Sequence, residues 1–368
     1  QAAYGADVMT RIEKYGAGQA QALTGAVRAA LSALAADLTQ RQGIEPGDVG
    51  AAVFTGNTAM LYILTGHDPE PLSRAPYKAD RLFGETVCLD IGGLEKTPIY
   101  LPRCVSAFVG ADITAAVLAS GMTTRKETAL LVDIGTNGEI ALWREGVLYC
   151  CSTAAGPAFE GVGLHCGSFA VRGAVDKVRL DKSGITVSTI GGAAARGLCG
   201  SGVIDAIAVF LKSGVIDETG AMRLEGHPFA DRMTEINGAA AFRIEGDIVV
   251  TAADVRAVQL AKGALRAGIE TLLHVAGVEK DEVATLYIAG GFGHHMDMES
   301  AAAIGLIPPE LAPKSKALGN AAQTGAAMLL QNRNLIAPSE ETARAARTVT
   351  LAANPVFMDF YMEYMMFL

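Results

Sequence analysis

Ten residues, Leu130-Leu131-Val132-Asp133-Ile134-Gly135-Thr136-Asn137-Gly138-Glu139, constrain the fold more than any other stretch. An apolar run ends in an acid, followed by a glycine, a hydroxyl, an amide and a second glycine. That order predicts a buried strand entering a tight hairpin, with backbone N–H groups and short polar side chains at the bend. Such a bend can hold phosphate oxygens, and Asp133 is placed to hold a metal ion or a water. The same letters also describe an ordinary Asn-Gly turn. The stretch alone does not separate the two readings.

The totals narrow the choice. A chain of 368 residues is long enough for two domains or one large two-lobed unit, and 50% apolar against 19% charged residues supplies large cores. The 42 glycines fall in short clusters, as close backbone approaches to a ligand require. A net charge of −9 argues against nucleic-acid binding or a membrane surface. No apolar run reaches the roughly 18–20 residues that span a bilayer. The six cysteines form no CxxC pair, which argues against zinc or iron–sulfur ligation within this chain. They also fit a secreted disulfide framework poorly, so a reducing cytoplasm without a signal peptide is expected. The chain starts at Gln1 and reads as the remainder of a longer protein.

Along the chain, Leu23, Val27, Leu31, Leu34 and Leu38 recur at helical steps and predict one apolar face on a helix over 19–38. A buried strand is expected over 49–54, then a helix capped by Asn57 or Thr58. Residues 66–103 read as a proline-rich connector, and Asp90-Ile91-Gly92-Gly93 within it as a loop. Polarity rises at Thr123-Thr124-Arg125-Lys126-Glu127, which sets the expected lobe boundary: a first, middle lobe over 1–122 and a second over 123–368. The second lobe opens with an antiparallel meander over 130–152. A small-residue loop around Gly156, able to approach a ligand, follows it. Gly200-Ser201-Gly202 leads into a helix, where unpaired N–H groups suit an anion. A long helix is expected over 252–276, then a buried strand over 283–289 ending in Gly290-Gly291-Phe292-Gly293. Three glycines around one aromatic leave space for a flat ring. His294 and His295 read as surface or lobe-contact residues, and the Met- and aromatic-rich 357–368 as core, with a partner surface as the alternative.

A strand–Asp-Gly-Thr-type hairpin, a glycine-preceded helix and a strand ending in Gly-Gly-Phe-Gly, in that order, resemble the acetate and sugar kinase, heat-shock chaperone and actin superfamily. The resemblance implies a two-lobed α/β fold of the ribonuclease H-like, actin-like ATPase type. More closely, the chain resembles the C-terminal part of the reductive activators of corrinoid proteins. The stretches that carry this are 1–8, 132–140, 152–161, 197–205 and 289–293.

The resemblance implies ATP-dependent return of an oxidised cobalt corrinoid protein of a methyltransferase system to Co(I). Asp133, Gly135, Thr136, Asn137, Gly138 and Glu139 would form the phosphate hairpin, with Asp133 and Glu139 catalytic and Asp133 on Mg2+. Gly290, Gly291, Phe292 and Gly293 would form the adenosine turn, and Gly200, Ser201 and Gly202 a further nucleotide contact. Such proteins carry an earlier Asp-Gly-Thr-type hairpin and a 2Fe-2S ferredoxin-like domain upstream, and this chain lacks both. It is therefore expected to hold one of two phosphate clamps and not to transfer electrons itself. Two alternatives stay open: a small-molecule kinase of the same superfamily, for which the loops offer no compelling base, and a non-catalytic nucleotide-binding scaffold. The oligomeric state is open too, a homodimer included.

Overall fold

The computed structural model describes residues 4, 5, 7–291 and 295–367. Its contacts divide the chain into two units that are not consecutive stretches. The first takes the chain up to Arg125 with Gly146–Leu148 and Asn320–Thr348; the second takes Lys126–Glu145, Tyr149–Gly319 and the chain from Val349 onward. Each is α/β, with short mixed or antiparallel sheets covered by helices.

In the second unit, the apolar runs Ala129–Ile134 and Thr285–Ala289 are buried along nearly their whole length. Strands covered on both faces read this way. They pair in parallel, with Ala289 opposite Asp133. Ala129–Ile134 pairs antiparallel with Gly138–Arg144 on its other side, and Asp133 lies across from Glu139. Val147–Thr153 and Ser315–Gly319 extend the sheet on either flank.

The helix Ala252–Ala276 packs on this sheet. Thr251 and Asp254 cap its start reciprocally, and Gly277, left-handed at φ 63°, ends it. Val255, Val258, Leu265, Ile269, Leu272 and Leu273 are buried, as their spacing predicts. A Cβ on Gly138 would meet Leu265 Cδ2 at 2.3 Å, and one on Gly268 would meet Ile140 Cδ1 at 2.6 Å. These two glycines let helix and hairpin strand approach more closely than any side chain permits. Two further sheets complete the unit. In one, Ala174–Asp181 lies between Gly184–Thr189 and Gly197–Leu198; the other is the meander Met233–Ile236, Ala239–Glu245, Ile248–Thr251.

The first unit has its own core, including Tyr62, Leu72, Ile91, Ile99 and Leu101. The predicted helix runs over Ala20–Gln42, but its covered face follows four-residue steps through Leu23, Val27, Leu31, Ala35 and Thr39, so the predicted stripe leaves it at Leu34. Leu23 is fully buried, whereas Leu34 and Leu38 are each 53% exposed. The strand expected over 49–54 shortens to Ala52–Val53, parallel to Ile99–Leu101. Asn57 caps the next helix, its side-chain oxygen accepting the Met60 amide at 2.8 Å. The helix Ala321–Gln331 returns to this unit and packs on Ala111–Ser120, where a Cβ on Gly325 would lie 2.0 Å from the Ala115 carbonyl oxygen. All six cysteines are free thiols, and Cys150 and Cys151 are fully buried as small apolar residues. Among the described residues, no helix is long and apolar enough to cross a membrane.

Candidate functional site

The hairpin that opens the second unit is not an Asn-Gly turn. Ile134 pairs with Gly138, so three residues, Gly135, Thr136 and Asn137, form the tip. A two-residue type I′ turn requires positive φ at both central positions, and neither Asn137 nor Gly138 has it. Gly138 is a glycine because Leu265 fills the space where its Cβ would stand. The tip is closed by the Gly135 amide, which donates to the Asn137 carbonyl at 3.2 Å. Among the described residues, the Thr136 and Asn137 amides donate to no protein acceptor. Two adjacent undonated N–H groups at a half-buried tip are what an anion site needs.

Asp133 stands at the base of this tip. Burial pushes its carboxyl up to about 6, since a low-dielectric surrounding disfavours the charged form. Glu139 is buried directly across the strand pair. The oxygen donors here suit a hard divalent ion such as Mg2+.

The parallel register places Gly290 against Asp133. A Cβ on Gly290 would lie 3.0 Å from Asp133 Oδ1 and 3.1 Å from the Ile134 carbonyl oxygen, and its φ of +93° is itself one for glycine. The Gly290 amide donates to the Gly319 carbonyl at 2.9 Å. Two motifs more than 150 residues apart in sequence are thus in contact. Gly291 is exposed. Phe292 and Gly293, and with them the ring platform, lie outside the described residues, as does His294; His295 is exposed.

The loop after the third strand joins the same tip. The Gly156 amide donates to the Thr136 carbonyl at 2.9 Å, and the Thr136 hydroxyl donates to Glu160 Oε1 at 2.8 Å. Gly156 adopts φ +79° with open space around its Cβ position. Glu160 is the residue that sequence reasoning passed over. A lone acid between Phe159 and Gly161, in a loop otherwise made of small residues, is the signal that could have found it.

Gly200, Ser201 and Gly202 are placed differently. All three are buried, and a Cβ on Gly202 would lie 2.1 Å from the Val175 carbonyl oxygen. Gly202 therefore sets how closely the helix Gly200–Ser213 sits on the Ala174–Asp181 strand. The Ser201 hydroxyl lies 3.4 Å from the Cys199 thiol. The polar contacts of this trio run to its own strand and helix, not to the hairpin.

Comparison with known proteins divides the chain once, after Arg125, where the first unit's N-terminal stretch also ends. The family model described as the C-terminal domain of RACo, the ASKHA domain, matches residues 127–368, and the model described as the RACo middle region matches residues 1–125. A corrinoid activation enzyme, RamQ, of Eubacterium limosum is 35% identical, with 100% of this chain and 65% of the relative covered. A Co(II) methylated amine-specific corrinoid protein reductase of Methanosarcina barkeri is 27% identical over 78% of this chain and 53% of the relative. A solved reductive activator for corrinoid, iron-sulfur protein matches with a TM-score of 0.90 and 32% identity, over 100% of this chain and 60% of that one. This chain thus spans 53% to 65% of the length of the curated relatives it matches.

Proposed function

The chain belongs to the RACo family, and from that premise we propose that it is the nucleotide-binding part of an ATP-dependent reductive activator. The target is a corrinoid protein of a methyltransferase system, whose cobalt passes from Co(II) to Co(I). The observation that carries the nucleotide part of this reading is the contact between Gly290 and Asp133 beside the undonated Thr136 and Asn137 amides. The reduction and its target are supported by the relatives' names.

In this reading the Thr136 and Asn137 amides bind phosphate oxygens, and Asp133 holds Mg2+, which neutralises phosphate charge when bound. Glu139 stands behind Asp133 and keeps its side of the site acidic. The turn beginning at Gly290 takes the adenosine, and Gly200, Ser201 and Gly202 support the site from the adjoining helix. Binding and hydrolysis of ATP to ADP drive the conformational work. The electron comes from a 2Fe-2S domain of the full-length protein, in the cytoplasm. We place the first passage of the chain between lobes at 122/123, close to the end of the first unit's N-terminal stretch at Arg125, with Gly146–Leu148 and Asn320–Thr348 grouped with the first lobe.

Calorimetry on the full-length protein with ATP and MgCl2 tests the site. Asp133→Ala is expected to weaken binding at least tenfold, and unchanged affinity overturns the assignment. Visible absorbance of a Co(II) corrinoid protein with a reductant present tests the activity. Co(I) is expected to accumulate only when ATP is added, and ATP-independent accumulation refutes the coupling.

A further inference from the structure

We infer that Glu160 makes nucleotide binding at the hairpin conditional on a divalent cation. The inference rests on the nucleotide reading above. Glu160 ends the short Pro157–Glu160 turn, whose Ala158 and Phe159 are buried and which packs on the helices Gly200–Ser213 and Ala252–Ala276. The next residue, Gly161, is held just as firmly: its φ is +74° and a Cβ there would lie 2.1 Å from the Ser168 carbonyl oxygen. An anchored aromatic on one side and a locked glycine on the other leave the Glu160 backbone little freedom. Its exposed carboxylate is therefore aimed, with Oε1 accepting from the Thr136 hydroxyl at 2.8 Å and 3.7 Å from the Cβ position of Gly135.

Among the described residues, no Lys, Arg or His forms an ion pair with Glu160. An unneutralised carboxylate thus stands beside the two amides offered to phosphate. An anion arriving alone meets attraction from the amides and repulsion from Glu160 at close range. A phosphate that arrives with a divalent cation meets no such opposition, because carboxylate and phosphate oxygens can share the ion. Glu160 is then a cation-dependent gate on the tip, separate from the support that its hydrogen bond gives Thr136.

Substitution separates the two roles. Glu160→Gln keeps an oxygen that accepts from Thr136 and removes the charge; Glu160→Asp keeps the charge and shortens the reach. ATP affinity of the full-length proteins is measured by calorimetry in MgCl2 and in EDTA, with melting temperature as the folding control. Wild type is expected to lose at least thirtyfold in affinity when Mg2+ is withdrawn. Glu160→Gln is expected to bind ATP at least tenfold more tightly than wild type in EDTA, and Glu160→Asp to keep most of the Mg2+ dependence. Equal Mg2+ dependence in wild type and Glu160→Gln overturns the gate and leaves the nucleotide site standing. Absence of ATP binding by wild type under both conditions overturns the nucleotide reading and the gate with it.

Discussion

The second unit contains the dipeptide Asn-Gly twice, in hairpins built on opposite principles. Asn237-Gly238 forms the whole turn between Met233–Ile236 and Ala239–Glu245: Ile236 pairs with Ala239, and both turn residues take positive φ, 51° and 80°. This is the local chemistry of a type I′ turn, with no help from elsewhere. Asn137-Gly138 straddles the junction of tip and strand, and neither residue is left-handed. There the glycine answers to Leu265 on a packed helix, and the three-residue tip leaves two amides undonated among the described residues. One hairpin is shaped by its own sequence and only connects strands. The other is shaped from behind and has its tip available.

Glycine replacement is the harshest way to break this contrast. Gly138→Ala is expected to cost about 3 kcal/mol, because Leu265 is fully buried and Thr153 Cγ2, 3.0 Å from the new Cβ, blocks the other side. Gly238→Ala meets only conformational strain, roughly 1–2 kcal/mol. Urea denaturation of both variants ranks them. A larger loss at 238 than at 138 refutes the claim that the first hairpin is held by its helix.

A milder test reaches the first hairpin through that helix. Lys262 is fully buried on Ala252–Ala276; its Nζ donates to the Met366 carbonyl and lies 5.0 Å from the Phe367 ring centroid. Burial, and secondly the Arg266 guanidinium, lower its pKa from the usual 10.5 to about 7. Between those two values the unfolded chain holds the proton more tightly than the folded one. Stability should therefore rise with pH across that window, by at most about 1.4 kcal/mol per unit, and should be insensitive to this group below pH 7. Denaturation of wild type and Lys262→Met at pH 7, 8 and 9 isolates the contribution. Parallel curves for the two proteins would remove Lys262 as its source.

How much of this was legible follows from where each constraint lies. The helix over 252–276 and its buried face were readable because periodicity is local. So was the run ending at Asp133, and the adenosine-side glycines were placed directly after a strand. The contact of Gly290 with Asp133 was not readable, because it depends on parallel pairing between strands far apart in the chain. Glu160 escaped for the same reason: its meaning comes from Thr136, across two strands. The exposure of Leu34 and Leu38 was hidden because the covered row continues through Ala35 and Thr39, a small and a polar residue that do not mark a buried face in the sequence. Gly202 carries a second requirement that spacing does not show. A glycine before a helix suggests an anion, and close packing on the Val175 carbonyl oxygen requires a glycine too; sequence spacing treats the two requirements alike.

The finest test exchanges the two asparagines' roles rather than the glycines'. Asn237→Ala puts a Cβ-bearing residue without asparagine's local hydrogen bonding into a left-handed position, which should cost roughly 1 kcal/mol and leave ATP affinity unchanged. Asn137→Ala removes a side chain from a tip with ordinary backbone angles, so stability should stay within about 0.5 kcal/mol of wild type. Its effect should appear in ATP binding instead, as a loss of about threefold, since the backbone amide survives and only a side-chain contact is lost. Melting curves and calorimetry on the same two proteins read both quantities. A stability loss at 137 with unchanged binding would mean that the first hairpin is an ordinary turn after all, and would move the phosphate site elsewhere.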